Sequence, residues 1–149
     1  MTPTAAELGA LDAVIDAARD RFVPGEGPVF TAAVVLEGRV VTLDANEVDE
    51  ARDPSRHAEV VAIARAAQAL GRTDLTGATL VASMQPCEMC LAAMRWAGID
   101  RLLFAMTQER APAFFQFPSL GIADYHRASG CAFDWHGGTG ADRLADIYG

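Results

Sequence analysis

Two short stretches decide how this sequence is interpreted. The first is His57-Ala58-Glu59, and the second is Cys87-Glu88-Met89-Cys90, which follows Pro86 and begins 30 residues after His57. His57 opens an alanine-rich stretch with helical spacing that ends at Gly71. Cys87 and Cys90 stand three apart at the start of a second predicted helix, where the helix dipole and free backbone N–H groups favour thiolates over thiols. If the two helix starts converge, one imidazole and two thiolates meet.

These three side chains predict a metal site. A thiolate pair with one imidazole is a good ligand set for Zn²⁺ and leaves a fourth tetrahedral position for water. Taken singly, His57 could be a helix cap and the cysteines a redox pair, but the joint pattern favours one zinc per chain, bound by His57, Cys87 and Cys90. Glu59 is the candidate proton carrier for that water. Residues two apart on a regular helix point about 200° from each other, so Glu59 needs His57 to lie in an irregular first turn.

Composition limits the classes of partner. The chain has 149 residues, of which 51% are hydrophobic and 21% charged, and this predicts one globular domain over residues 1–149. A net charge of −8 disfavours partners held through phosphates, so nucleic acid is not expected. No run approaches the ~20 apolar residues of a membrane span, and the N-terminus lacks a signal-peptide pattern. We expect a cytoplasmic protein with reduced cysteines.

Periodicity predicts an α/β domain in which helices and strands alternate. Its predicted helices run from about Ala5 to Asp20, from His57 to Leu70, from Pro86 to Ala97 and near Ala141 to Tyr148. Its predicted strands are a hairpin formed by Phe30–Leu36 and Arg39–Leu43, followed by Thr79–Ser83 and Arg101–Met106. Asp44 to Arg56 is expected to be a loop, Gly137 to Gly140 a flexible linker, and the rest after residue 106 has no assigned register.

The motifs resemble the zinc-dependent cytidine deaminase superfamily over about Phe30 to Met106, and most closely the small guanine-deaminase-like nucleobase deaminases of bacteria. The resemblance implies a three-layer cytidine-deaminase-like fold with a central mixed β-sheet flanked by helices. It also implies a zinc-dependent aminohydrolase in which His57, Cys87 and Cys90 hold zinc and Glu59 shuttles protons. The expected substrates are water and a small heterocyclic amine, such as a free nucleobase, which loses its exocyclic amine as ammonia.

The same resemblance suggests substrate contacts. It implies that Asn46 hydrogen-bonds the base and that Phe30 and Trp96 line the pocket; Ala58, Phe115 and Tyr148 complete the expected set. Members of the family are dimers, and a C-terminal tyrosine of one subunit can close the site of the other. A homodimer with segment 137–149 exchanged is therefore expected. In the simpler alternative, the aromatic residues are core, Asn46 forms a turn and Tyr148 is a helix-end contact.

Two departures from the family pattern bear on the substrate. Members usually carry an acid just before the proline-cysteine pair, where this chain has Met84-Gln85. Guanine-type members use a second carboxylate about 30 residues beyond the second cysteine, but residues 113–119 here contain none, and Glu109 and Asp124 are out of register. The hypothesis is that guanine is not the best substrate and that a pyrimidine or triazine base is a candidate.

Three other functions stay open at the level of sequence. A tRNA adenosine deaminase shares the motif but needs a basic surface, and residues 124–149 carry only Arg127 and Arg143 as fixed cations. A nucleoside deaminase is compatible, because ribose contacts come from scattered loop positions. A structural zinc protein would need a fourth ligand, from Cys131, His126 or His136, and would have no use for Glu59.

Overall fold

A mixed five-stranded β-sheet with helices on both faces forms the centre of the protein, in a computed structural model that describes residues 1–149. The strands are β1 (Thr31–Leu36), β2 (Arg39–Ala45), β3 (Thr79–Met84), β4 (Arg101–Met106) and β5 (Asp134–Gly137). The helices are α1 (Ala5–Arg21), α2 (Val48–Ala51), α3 (Ala58–Leu70), α4 (Glu88–Trp96), α5 (Ile122–Ala128) and α6 (Ala145–Tyr148), with 3₁₀ turns at Pro112–Phe114 and Ala141–Leu144. None of the helices combines the length and apolar character needed to span a bilayer.

The sheet topology brings several chain segments to one edge. The strand order is β2-β1-β3-β4-β5, with β1 antiparallel to both β2 and β3, while β3, β4 and β5 are parallel. The start of β1 therefore lies beside the ends of β2, β3 and β4. Phe30, Asn46 and Gln85, which flank these strands, consequently meet at the same edge of the sheet.

Both faces of the sheet are covered, which gives three layers. On β1, Ala33 and Val35 pack with α1 and the C-terminal residues, whereas Ala32 and Val34 pack with α3 and α4. Strands buried on both faces carry apolar residues at successive positions rather than alternating ones, as residues 80–82 of β3 and residues 102–106 of β4 show. The expected α/β class with a mixed sheet between helices is confirmed.

Most predicted elements before residue 106 are confirmed to within one or two residues, and three differences are informative. The predicted loop at residues 44–56 contains the end of β2 and the four-residue α2. Helix α4 has Cys87 as its N-cap, so Pro86 precedes the helix instead of opening it. Helix α5 and strand β5 had no prediction, because they are short and β5 exists through its pairing with β4.

The C-terminal segment is packed rather than flexible. Gly137 belongs to β5, and a Cβ there would lie 2.2 Å from a ring carbon of Phe104, so only glycine fits. The Gly138 N–H donates to the carbonyls of Phe104 and Ala105, which corrects the expected flexible linker. Ile147 and Tyr148 are buried in the core of the same chain. Exchange of residues 137–149 between subunits stays a prediction.

A buried carboxylate ties the first helix to the sheet. Glu7 is 4% exposed and forms a capping box with Thr4 at the start of α1. Its carboxylate accepts hydrogen bonds from Arg101 Nε at 2.8 Å, Arg101 Nη2 at 2.9 Å and Thr79 Oγ1 at 2.7 Å. The Arg101 guanidinium in particular lowers the pKa of Glu7 from 4.5 to about 2. Helix α1 is therefore fixed to β3 and β4 by a charged group that is ionised when folded.

We expect Glu7→Gln to lower the free energy of unfolding at pH 7, by roughly 3 kcal/mol at most, since the lowered pKa of Glu7 favours the folded state wherever the carboxylate is ionised in both states. This contribution is complete above about pH 4.5 and is lost as the pH falls towards 2. Urea unfolding of both proteins from pH 7 to pH 2.5 measures it as the difference between them, which removes acid effects common to both. A difference that stays constant over this range would contradict the assignment.

Candidate metal centre and adjoining cavity

Two helices begin at the same place, and their N-cap residues point at each other. His57 is the N-cap of α3 with φ −65° and ψ 154°, and Cys87 is the N-cap of α4 with φ −67° and ψ 172°. Neither side chain caps its own helix by a hydrogen bond. The extended backbone at His57 is the irregular start that Glu59 requires, because it removes the regular 200° separation between the two side chains.

The three candidate ligand atoms lie at the spacing of a zinc site. Cys87 Sγ is 3.5 Å and Cys90 Sγ is 3.6 Å from His57 Nδ1, and the two sulfurs are 3.7 Å apart. A tetrahedron with Zn–S bonds of about 2.3 Å and a Zn–N bond of about 2.0–2.1 Å has edges of about 3.8 Å and about 3.6 Å. His57, Cys87 and Cys90 thus fit one Zn²⁺ without rearrangement.

The chemistry of the donor set also calls for a cation. Cys90 donates its S–H to Cys87, and this hydrogen bond together with the His57 ring lowers the pKa of Cys87 to about 4. The same pairing, with burial, raises the pKa of Cys90. Two adjacent thiolates repel each other, and a divalent cation between them removes that repulsion. One zinc ion per chain accounts for both cysteines as ligands.

Glu59 lies beside this cluster, as its position in the motif predicts. It is 4% exposed, and its Oε2 lies 3.0 Å from Cys90 Sγ. Burial raises the pKa of the Glu59 carboxyl, which places a group able to hold a proton next to the metal ligands. His57, Glu59, Cys87 and Cys90 are therefore brought together by the fold.

A cavity of about 420 Å³ opens at the cluster and reaches the sheet edge described above. His57, Glu59 and Cys87 line its inner end. Phe30 and Phe114 form aromatic walls, with ring centroids 5.3 Å apart and planes at 81°. The volume and the mainly apolar walls are typical of small-molecule sites.

Asn46 is held so that one of its polar groups faces the cavity. Its Oδ1 accepts the N–H of Phe30 at 3.1 Å, and its own N–H donates to the Phe30 carbonyl at 3.0 Å. The side-chain amide nitrogen has no partner within the protein and lies in the cavity lining. Asn46 can therefore donate a hydrogen bond to a ring oxygen or nitrogen of a ligand.

Four other expected substrate contacts do not line this cavity, and their contact with a substrate stays a prediction. Trp96 is 90% exposed at the far end of α4, and Phe115 is buried in the core on the α1 side. Ala58, the first residue of α3, is buried in the core on the side of α3 and α4. Tyr148 lies behind Phe30, with ring centroids 5.3 Å apart and planes at 16°. It supports the wall of the cavity from within the same chain.

Sequence reasoning missed three polar residues. Asp49 and Gln116 line the cavity, from α2 and from the segment after β4. Glu88 binds two backbone N–H groups of that segment. The sequence shows an acid between the two cysteines, but no local pattern links Glu88 to Gln116, which lies 28 residues further along the chain. Because residues 44–56 were predicted to be a loop, nothing in the sequence indicated that Asp49 lies in a helix and lines the cavity.

The comparisons with known proteins agree with this site. Residues 7–106 match the family of the cytidine and deoxycytidylate deaminase zinc-binding region, and the chain belongs to that family. It is 39% identical to a tRNA-specific adenosine deaminase of Agrobacterium fabrum over 55% of this chain and 54% of that protein. It is 38% identical to a guanine deaminase of Bacillus subtilis over 54% of this chain and 52% of that protein. The chain thus spans about half the length of these curated relatives.

A solved structure confirms the fold. A structure of a tRNA:A34 deaminase, studied for A-to-I editing at the wobble position of transfer RNA, superposes with a TM-score of 0.75 at 28% identity. The match covers 97% of this chain and 99% of the other. The cytidine-deaminase-like arrangement of sheet and helices is therefore shared over nearly the whole domain.

Cys87→Ala should lose most of the bound zinc, with affinity reduced at least about 100-fold, and should melt at a lower temperature. Cys131→Ala is the matched control, because Cys131 is an exposed free thiol outside the cluster. Metal analysis after gel filtration and a thermal melt measure both effects. About one zinc per chain retained by Cys87→Ala would contradict the ligand assignment.

Proposed function

We propose that this protein is a zinc-dependent hydrolytic deaminase that releases ammonia from the exocyclic amine of a free nucleobase or base-like heterocycle. The observation that carries the proposal is the cavity beside the metal ligands, which is lined by aromatic and amide groups and by no lysine or arginine. Such a lining suits a flat, uncharged ring.

The distribution of charge favours a free base over a phosphate-bearing substrate. The only ionisable carboxylates in the lining are Asp49 and Glu59, and these repel phosphate. All twelve cationic side chains of the sequence are arginines. Seven of them form ion pairs with carboxylates, which leaves few to contact a nucleic-acid backbone.

The residues of the cavity divide the chemistry among them. A zinc ion held by His57, Cys87 and Cys90 would supply a water acidic enough to attack a ring carbon near neutral pH. Glu59 would carry one proton of the water to the adjacent ring nitrogen and the other to the amine, so that ammonia leaves and a carbonyl replaces the C–NH₂ group. Asn46 donates a hydrogen bond to the ring, and Phe30 and Phe114 hold it by stacking and edge contacts.

The second candidate is a tRNA adenosine deaminase, which the similarity to the Agrobacterium enzyme and to the tRNA:A34 deaminase structure favours. The charge distribution counts against it. A structural zinc site is disfavoured because the three candidate fourth ligands lie elsewhere: Cys131 is exposed, His126 packs on Phe133 and Trp135, and His136 bonds to Thr139.

Within the free bases, we propose a pyrimidine or triazine over guanine. Residues 113–117 contribute Ala113, Phe114 and Gln116 to the cavity and no carboxylate. Glu109 is exposed, and Asp124 is engaged by the Gly121 N–H and by Arg127. The second carboxylate of the lining, Asp49, comes from α2, so the segment after β4 offers no acid to exchange a ring proton of a purine.

We further propose a homodimer that forms through the outer face of α4. Met89 and Trp96 lie seven residues apart on this face, 36% and 90% exposed, and an apolar stripe of this kind is typical of an interface. The three free thiols suit a reducing compartment, and we propose the cytoplasm.

Trp96→Asp should shift the protein from two copies to one in sedimentation velocity at micromolar concentration, because it places a charge in the apolar face. Val40→Asp, at another exposed apolar position, should leave the mass unchanged. A monomeric wild type, or a Trp96→Asp variant that stays dimeric, would contradict this interface.

Ammonia release from zinc-loaded protein tests the function itself. We expect turnover of cytosine, isocytosine or amino-triazines, a lower kcat/KM for guanine, and none for the matching nucleosides or tRNA. Glu59→Gln should keep the zinc and lose at least about 100-fold in kcat, because proton transfer is removed. Turnover of tRNA alone would establish the second candidate, and a guanine kcat/KM above all others would overturn the ring preference.

A further inference from the structure

The turn that presents the zinc cysteines also holds the opposite wall of the cavity. Glu88 is the first residue of α4, directly after Cys87. Its Oε1 accepts the backbone N–H of Gln116 at 2.5 Å and that of Phe117 at 2.9 Å. One carboxylate therefore fixes the segment that carries Phe114 and Gln116, both of which line the cavity.

A pair of buried glutamines fixes the same segment at its ends. Gln85 Nε2 donates to Gln108 Oε1 at 3.2 Å, and Gln85 Oε1 accepts the Gln108 N–H at 3.1 Å. Gln108 Nε2 donates onward to the Leu120 carbonyl at 2.9 Å. A carboxylate at position 85 would lack the donor for this exchange. Gln85 stands where members of the family usually carry an acid, and its hydrogen bonds to Gln108 hold the segment after β4. The acid of this chain near the cysteines is Glu88.

We call the two hydrogen bonds from Glu88 to the Gln116 and Phe117 N–H groups the clamp. A contribution to stability alone does not explain this clamp. Glu88 Oε2 is buried with no hydrogen-bond partner, an arrangement that by itself destabilises the folded state. The side-chain amide of Gln116, in contrast, has no partner within the protein, and Gln116 is one of the residues that line the cavity. This amide offers one acceptor and two donors on a backbone that Glu88 holds in place, and unlike a carboxylate it cannot exchange protons.

We propose that Gln116 is a specificity-determining residue, whose side-chain amide hydrogen-bonds to an edge of the substrate ring that has a donor beside an acceptor. Glu88 is then the positioning residue that holds the backbone of Gln116 in place. The inference rests on the proposed function, since it names how that cavity selects its heterocycle. Glu88 does not line the cavity, so it acts through the backbone of Gln116 and not as an acid or base. Cytosine presents such an edge at N1–H and its C2 carbonyl, and amino-triazines present one at a ring nitrogen and the neighbouring amine.

Glu88→Ala, Glu88→Gln and Gln116→Ala test the clamp, with Glu109→Ala as the matched control at an exposed glutamate of the same region. In Glu88→Ala we expect KM for the best base to rise about tenfold or more with kcat within about threefold, since substrate contact is loosened while the metal ligands and Glu59 stay. Glu88→Gln keeps a carbonyl oxygen as acceptor and should restore KM. Gln116→Ala should raise KM like Glu88→Ala.

Hydrogen exchange of the zinc-loaded proteins supplies a readout independent of turnover. The amides of Gln116 and Phe117 should lose protection in Glu88→Ala and keep it in Glu88→Gln, Gln116→Ala and Glu109→Ala. Should Glu88→Ala fail to fold or to bind zinc, the kinetics of Gln116→Ala decide alone.

Three results would overturn the inference. They are an unchanged KM in Gln116→Ala, full protection of the two amides in Glu88→Ala, or a loss of kcat in Glu88→Gln comparable to that in Glu59→Gln. No turnover of any base by the wild type would instead remove the proposed function, while the exchange experiment would still report whether the clamp exists.

Discussion

The whole site depends on the convergence of two helix starts at His57 and Cys87. Each N-cap residue has an extended backbone and leaves its own helix uncapped, so that both side chains project into the space between α3 and α4. The free N–H groups of two helix N-termini stabilise negative charge at that point, which suits thiolates and a carboxylate in an otherwise buried place. The ligand spacing of 3.5 to 3.7 Å follows from this geometry.

The sheet and the packing around it hold that convergence in place. The antiparallel placement of β1 brings Phe30 and Asn46 to the edge where β3 and β4 end, and so builds a cavity directly above the metal ligands. Tyr148 supports Phe30 from behind, with its hydroxyl donating to the Val29 carbonyl at 2.5 Å and lying 2.7 Å from Ser83 Oγ. The chain's last helix thereby contributes to a wall of the cavity without entering it.

Local sequence patterns predicted much of this arrangement, and long-range contacts explain the remainder. The apolar runs of β1 to β4 and the caps of α1 and α3 are local signals, and the irregular start at His57 was deducible from the spacing to Glu59. Strand β5, four residues long, depends on its pairing with β4 and had no local signal. The resemblance placed Trp96 and Phe115 at the substrate, but one lies on the surface and the other in the core. The bonds from Glu88 to Gln116 join residues 28 apart, which no periodicity shows.

A crystal structure of the zinc-loaded protein with a heterocyclic amine analogue tests the metal centre and the adjoining cavity most directly. We expect one metal ion bound by His57 Nδ1, Cys87 Sγ and Cys90 Sγ with no fourth protein ligand. The Glu59 carboxylate should lie within hydrogen-bonding distance of the open side of the metal ion, and the ring should lie between Phe30 and Phe114. A fourth ligand from the protein, direct ligation by Glu59, or an analogue bound away from this cavity would contradict this expectation.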